Sequence, residues 1–489
     1  MLKLENKYGD CVDIVFADAQ IMKKVEVLRR KYPRFVYENF DWEISGKDLK
    51  ISFDFRIESP EDCPPDICFK PKVIIKNVDK NQIRKVGDRV VDNLVFNLGL
   101  IELLSYWKAT CSPEILIKAG QLNKEQIKWW KYLIERGMGQ FFFENKIDFT
   151  KNFLKINFTR FNLVKMKNYG NQLKKRVLVP VGGGKDSIVT LEILKGVKKN
   201  IVCFSLNPTE TAQRILKIGG CENSIIVDRK IDPKLLELNR QGFLNGHTPF
   251  SAYLAFLSVL LAVLFDIKYI AFSNERSSNE GNVKYLVRII NHQYSKSFDF
   301  EKKFRDYCQK YLTSGVEYFS FLRPLYEIQI AKLFSKYPKY FNAFLSCNVA
   351  YQTASGTKLP TKKWCGNCPK CLFVFAILYP FIDEKKLIKI FGQNLFGKRK
   401  LLPLMLELIG ERRFKPFECV GTKKESLVAF YSSWRKLRGP SSYKLSYILW
   451  YFERKILPKY PNLKKEARIM INSWSNQHYL PKEFGKILN

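Results

Sequence analysis

Hydrophobic and polar positions change their period along this chain. Over Leu49-Lys-Ile-Ser-Phe-Asp-Phe-Arg-Ile57 they alternate, the period of a half-exposed strand, and Val73–Asn77 offers another strand. From Asp88 the period becomes helical and runs through Leu94 to Lys108. Gln126, Trp129, Trp130, Leu133 and Ile134 lie on another helix, which stops near Gly137. Phe141, Phe142 and Phe143 read as core rather than as a ligand stack. Together these stretches predict a mixed α+β N-terminal domain over residues 1–170, with a polar, basic linker around Lys165 to Lys175.

From Arg176 the pattern becomes strand–helix–strand. Val177–Val181 is a short β-branched run of the kind buried in parallel sheets, and Ile201–Ser205, Ser224–Asp228 and Lys268–Ser273 follow as further strands. Pro249–Phe265 is an uncharged run of 17 residues, at the lower limit for crossing a bilayer. Thr248 and Pro249 fit an N-cap and first helical residue, so the run reads as a buried core helix. The alternation predicts an α/β fold with a Rossmann-like, doubly wound sheet over residues 171–345. Residues 346–421 form a Cys-rich, helical continuation, and 422–489 a basic tail with Trp434, Trp450 and Trp474. Ligands of such sheets bind at the carboxyl ends of the strands. Ser205 and Asn207 fall there, placed to meet an adenine or ribose, with ordinary turn capping as the alternative. Asn274–Asn282 collects polar and charged groups at the same edge.

Composition narrows the class. At 489 residues, 46% hydrophobic and 14% aromatic, the chain is globular and long enough for about three domains. A formal net charge of +36 invites nucleic acid as a partner. The excess is scattered, however, without an Arg-rich tract, and biased codon usage can produce it without function; a general attraction for anionic small molecules or acidic surfaces is the milder reading. The basic, aromatic tail could touch anionic lipid, but packing on the main body is preferred. Met1–Asp10 has no apolar core and cannot serve as a signal peptide. Twelve cysteines in so long a chain, three of them at metal-ligand spacing, fit a reducing compartment and predict a cytoplasmic protein.

Two local motifs carry chemistry. Between the strand Val177–Val181 and an apolar helical period stand Gly182, Gly183, Gly184, Lys185, Asp186 and Ser187. Glycines let the backbone approach an anion, and a helix start offers it unpaired N–H groups. Neither the Walker nor the Rossmann glycine spacing is present. The second motif is Cys365-Gly-Asn-Cys368-Pro-Lys-Cys371, with Cys347 as the best fourth ligand 18 residues upstream. Two C-x2-C steps suit a tetrahedral thiolate site for structural Zn2+, with an iron–sulfur cluster as the alternative. Asn291-His-Gln-Tyr-Ser-Lys-Ser297 adds His292, one of only three histidines, beside Tyr294 and Lys296. Arg323 can bind a carboxylate or phosphate through two bonds, or form an ordinary surface ion pair.

The glycine stretch resembles the PP-loop of the ATP pyrophosphatase superfamily, written S-G-G-x-D-S, with Gly182 in place of the first serine. That resemblance implies an adenine nucleotide alpha hydrolase-like domain, ATP as co-substrate and adenylation of a carboxyl or carbonyl oxygen. Clustered cysteines also occur in 7-cyano-7-deazaguanine synthase, another PP-loop enzyme. The separated blocks Gly99–Pro113, Gly139–Asn145, Pro180–Ser187, Ser278–Asn282, Asn291–Ser297, Tyr318–Pro324 and Glu418–Thr422 resemble the UDP-N-acetylmuramoyl-L-alanyl-L-glutamate epimerase family, MurL. Its reaction converts the terminal L-Glu of UDP-MurNAc-L-Ala-L-Glu to D-Glu through an acyl-adenylate. By this resemblance Gly183, Gly184 and Ser187 cradle pyrophosphate, Gly182 and Lys185 assist, and Asp186 holds Mg2+. Glu280 is a second Mg2+ ligand or a base, His292 and Lys296 are acid/base or oxyanion groups, and Arg323 binds a glutamyl side chain or a phosphate. Two other readings stand: a PP-loop ligase or nucleobase-modifying enzyme, with Cys203 or Cys221 as a thiolating nucleophile, and a basic nucleic-acid or membrane-associated binding protein.

Overall fold

The run Val177-Leu-Val-Pro180 shows why the sheet separates two cores. Side chains alternate across a strand. Leu178 faces one core with the apolar helix Phe250–Leu264. Val177 and Val179 face the other, with the helices Lys185–Gly196, Glu327–Phe334 and Pro369–Leu378. Helices on both faces of a parallel sheet make the expected α/β sandwich. This computed structural model describes residues 20, 22–60, 65–150, 152–159, 166–351, 363–438 and 445–488. The expectations for Met1–Asp10 and for the start of the linker at Lys165 lie outside these residues.

In chain order the strands are β1 (Arg34–Ser45), β2 (Asp48–Glu58), β3 (Ile67–Phe69), β4 (Lys72–Lys76), β5 (Glu114–Ile117), β6 (Lys155–Phe158), β7 (Val177–Pro180), β8 (Ile201–Leu206), β9 (Ile225–Lys230), β10 (Tyr269–Phe272), β11 (Val283–Tyr285), β12 (Arg288–Ile290) and β13 (Glu317–Ser320). Eleven of them form one sheet in the order β13-β10-β7-β8-β9-β4-β2-β1-β5-β6, with β3 on β2, while β11 and β12 make a separate hairpin. The five strands from β13 to β9 are parallel. The sequence pattern marks four of these; β13, Glu-Tyr-Phe-Ser, has polar residues at both ends and no continuous apolar run to mark it.

The sheet crosses the expected domain boundary at 170/171. Lys72–Ile75 of β4 pair antiparallel with Val227–Lys230 of β9, so the N-terminal strands extend the parallel strands into one sheet rather than forming a separate one. A buried ion pair reinforces this joint. Glu102, on the helix Asp88–Glu102, accepts two bonds from Arg229 of β9 at 2.8 and 2.9 Å. Phe141 and Phe142 are buried in the first core, as expected of core aromatics. The apolar helix begins one residue later than predicted, with Pro249 in the cap position and no side chain capping it. Among the described residues no helix is long and apolar enough to cross a membrane. The tail packs onto the second core through Leu427–Tyr431, Ile448, Leu449, Phe452 and Phe484.

Candidate active site

The glycine loop lies at the carboxyl end of β7. Val181 is still held by the sheet, donating to the Phe204 carbonyl at 2.8 Å. Gly183 then takes φ +101°, a conformation that L side chains resist, and Gly184 caps the helix Lys185–Gly196 without any side-chain hydrogen bond. The helix start thus presents its N–H groups without a competing cap, an arrangement suited to an anion. Gly184 also lets the chain close on its neighbour, since a Cβ there would meet Ser346 Oγ at 3.0 Å. Gly182, by contrast, is exposed, and a Cβ there would meet nothing within 4 Å. Ser187 Oγ donates to the Gly184 carbonyl at 3.0 Å.

Lys185 commits its ammonium to carboxylates. Its side chain is 1% exposed and its ammonium bonds Asp186 and Glu327. It therefore supports the loop from below as a counter-ion for two carboxylates. Burial and the Glu327 charge hold the Asp186 carboxyl above its usual range, against the pull of Lys185. Glu275 is buried nearby and is pushed up to about 7 by burial and by Glu327.

A second cluster opens beside the loop. Lys296 Nζ lies 3.3 Å from Cys419 Sγ, and Cys419 Sγ lies 3.8 Å from His292 Nε2. The other ring nitrogen, Nδ1, is 2.5 Å from Gln140 Oε1. An amide oxygen only accepts, so this contact assigns the proton to Nδ1 and leaves the Nε2 lone pair toward the sulfur. Burial, then Lys296, Lys415 and Lys370, depress the His292 pKa to about 3, so the ring is neutral at physiological pH. The His247 ring packs at 4.5 Å from His292 and is likewise held well below the usual histidine range, first by burial. Burial opposes the Lys296 charge, but Cys419, Glu275 and Asp186 outweigh it and hold the ammonium above the usual lysine range. The charge of Asp186 also acts on Lys296, so the start of the helix after the glycine loop lies within electrostatic reach of this cluster.

Other expected site residues have other duties. Arg323 is 1% exposed, and all its donors are committed: to Glu301 Oε2, the carbonyls of Glu275 and Lys296, and the hydroxyls of Ser278 and Ser320. No donor is left for a glutamyl side chain or phosphate, so Arg323 positions the segments that carry Glu275 and Lys296. Ser205 Oγ is buried and donates to the Val181 carbonyl, bracing the strand beneath the loop. Asn207 pairs through its amide with the backbone of Arg229 in both directions. Both make the turn-bracing contacts that were the alternative to nucleotide binding. Glu280 is held by the Lys423 N–H at 2.9 Å and by Lys415 at 3.4 Å. Cys203 and Cys221 are bonded to each other.

The four cysteines converge. The sulfurs of Cys347, Cys365, Cys368 and Cys371 all lie within 4.8 Å of one another, a set that could hold a metal ion. Gly366 makes the knuckle turn at φ +63°, and a Cβ there would clash with Gln393 Nε2. Residues beside the ligands reach into the site. Asn348 bonds Glu418, and Lys370 bonds the Cys419 carbonyl and lies 3.8 Å from Glu327. Leu345 donates to the Gly183 carbonyl at 3.0 Å. The knuckle therefore braces both the glycine loop and the Cys419 segment.

The family models for the MurL N-terminal domain and the MurL C-terminal domain match residues 27–321 and 343–444. The chain belongs to the MurL family. Curated relatives named UDP-N-acetyl-alpha-D-muramoyl-L-alanyl-L-glutamate epimerase agree. That from Xanthomonas oryzae pv. oryzae is 34% identical over 68% of this chain and 72% of its own. That from a Micromonospora species is 34% identical over 69% and 75%, and that from Salinispora tropica 33% identical over 70% and 76%. The two MurL domains share the site: the loop, His292 and Lys296 come from the first match, and Cys419 with the four cysteines from the second. Cys419 and Gln140 sit in the blocks Glu418–Thr422 and Gly139–Asn145 that carry the MurL resemblance, the signal that could have marked them.

Proposed function

We propose that the protein converts the terminal L-Glu of UDP-MurNAc-L-Ala-L-Glu to D-Glu, with ATP going to AMP and pyrophosphate, in peptidoglycan precursor synthesis. The printed names of three relatives support the substrate and the reaction. What carries the reading in the structure is the adjacency of two devices, an open glycine loop and a neutral imidazole beside a lysine cation.

Their combination makes chemical sense. The α-proton of a free carboxylate is very weakly acidic, because the carbanion would form beside a negative charge. Transfer of AMP to that carboxylate removes the charge and leaves an acyl group that accepts an enolate. Gly183, Gly184 and the uncapped helix start fit a polyphosphate, and Asp186 is the carboxylate that would hold Mg2+. These features support reading the loop as a PP-loop and the parallel strands as part of a Rossmann-like PP-loop domain. Neutral His292 is in the form that accepts a proton, and Lys296 places a cation where negative charge would grow. Four thiolates suit Zn2+ with no open position, a structural site. The protein acts in the cytoplasm, where its nucleotide-linked substrate and ATP would meet.

The test is to incubate the protein with ATP, Mg2+ and UDP-MurNAc-L-Ala-L-Glu, hydrolyse the product and determine the chirality of its glutamate. D-Glu formation with pyrophosphate release is expected from this substrate and not from free L-Glu. Pyrophosphate release with wholly L-Glu recovered would instead favour a ligase.

A further inference from the structure

The basic tail has no role in the account so far, yet it builds one wall of a groove. The helices Lys423–Leu437 and Leu463–Ile471 meet the helix Glu327–Phe334 around a hollow of about 670 Å³. We propose that this groove is a second anion site, separate from the glycine loop, and that it binds a nucleoside diphosphate. It would do so whichever reaction the loop serves.

Charge is the first observation. Lys332, Arg435, Lys436, Lys464 and Arg468 line the groove from three helices, and no carboxylate lines it with them. Lys436 is engaged, donating to the Tyr379 and Ile382 carbonyls at 2.7 Å each. The other four are exposed and have no carboxylate partner among the described residues. Glu466, on the helix of Lys464 and Arg468, is held instead by Lys424 at 3.4 Å, and Glu453 by Arg438 at 2.7 Å. On other helices basic side chains do have acids beside them, as Arg214 has Glu210. Unpaired cations gathered around one hollow repel one another, and a ligand with two or more negative charges relieves that repulsion.

The lining narrows the ligand. Tyr431 is 6% exposed and lines the groove, and its hydroxyl has no hydrogen-bond partner among the described residues, so it is free to bond a guest. Phe381, Ala467 and Ile471 add an apolar surface, and Ser432 and Asn472 uncharged polar groups. A recess that joins cations to an apolar wall suits an organic phosphate better than a bare inorganic ion or a flat lipid surface. Arginine and lysine on three helices match a diphosphate, and its nucleoside takes the remaining space.

Position separates the groove from the loop. Arg435 stands ten residues beyond Glu425 on one helix, about 15 Å along its axis, and it is Glu425 that reaches Ser277. Lys464 and Arg468 lie past residue 444, where the match to the MurL C-terminal domain ends.

Acetylation footprinting of the whole protein tests the site. Lysines are modified to low conversion and read peptide by peptide, with and without UDP, at constant ionic strength. UDP should protect Lys332 and Lys464 several-fold more than inorganic phosphate does. ADP runs beside it: protection by both nucleotides reports recognition of the diphosphate, and protection by UDP alone adds recognition of the uracil, each in agreement with the proposal. Arg435→Gln with Arg468→Gln should weaken UDP binding by about tenfold or more and leave Tm unchanged, since neither guanidinium has a partner to lose. Four results would each overturn the proposal: no protection by either nucleotide, equal protection by inorganic phosphate, protection retained in the double variant, or protection only by phosphatidylglycerol vesicles or single-stranded RNA. The last would make the groove a membrane or nucleic-acid face.

Discussion

Replacing His292 by Gln tests whether the site holds an imidazole neutral. Burial, followed by Lys296, Lys415 and Lys370, depresses its pKa to about 3, against 6.5 for an ordinary histidine. A depressed folded-state pKa contributes stability that is complete above the unfolded value and lost as pH falls toward the folded one. For His292 the window therefore opens at 6.5 and extends down to about 3. Each pH unit inside it removes at most ~1.4 kcal/mol, so acidification from about pH 6.5 to about pH 5 removes about 2 kcal/mol. His247, held low by burial and by His292, acts in the same direction. Urea unfolding across this range measures the effect. Gln fills the ring's place without titrating, so H292Q should lose about 2 kcal/mol less than wild type over that acidification. Equal acid sensitivity of the two proteins would refute the depressed pKa and, with it, the neutral base.

Other expectations follow from particular contacts. Glu102→Ala leaves the buried Arg229 guanidinium unpaired and should cost about 3 kcal/mol or more, read as a lowered urea midpoint. Gly182→Ser should be accepted, because a Cβ there meets nothing within 4 Å, whereas Gly183→Ala at φ +101° should cost ~1–3 kcal/mol and weaken ATP binding. The pair is compared by the KM for ATP in pyrophosphate release. Chelation that empties the four-cysteine site should lower Tm and abolish activity together, because Lys370 and Asn348 link it to the Cys419 segment. Metal analysis should return one ion per chain, and unchanged activity after verified metal loss would contradict the bracing role.

The sequence made visible what is local. A strand, three glycines and a helix are contiguous, and three of the four metal-type cysteines lie within seven residues, so spacing alone brings their groups together. The block holding His292 and Lys296 was legible for the same reason. Cys419, Gln140 and His247 were not, because they reach His292 across 127, 152 and 45 residues of chain and each looks ordinary in its own segment. Lys185 and Arg323 show the opposite difficulty. Both have residue types suited to anions, but Glu327 and Glu301 claim them in the interior, and no local pattern announces such partners. The extension of the parallel sheet by β4 likewise depends on an edge-to-edge pairing between strands about 150 residues apart.

The central claim is that the glycine loop and the His292–Lys296 cluster serve one reaction, in which activation must precede proton removal. The most direct measurement follows α-deuterium incorporation into UDP-MurNAc-L-Ala-Glu in D2O, with and without ATP, while AMP is counted. The account predicts no exchange without ATP, and with ATP a deuterium at Cα of each D-Glu formed, accompanied by at least one AMP. Exchange at an undiminished rate in the absence of ATP would contradict it.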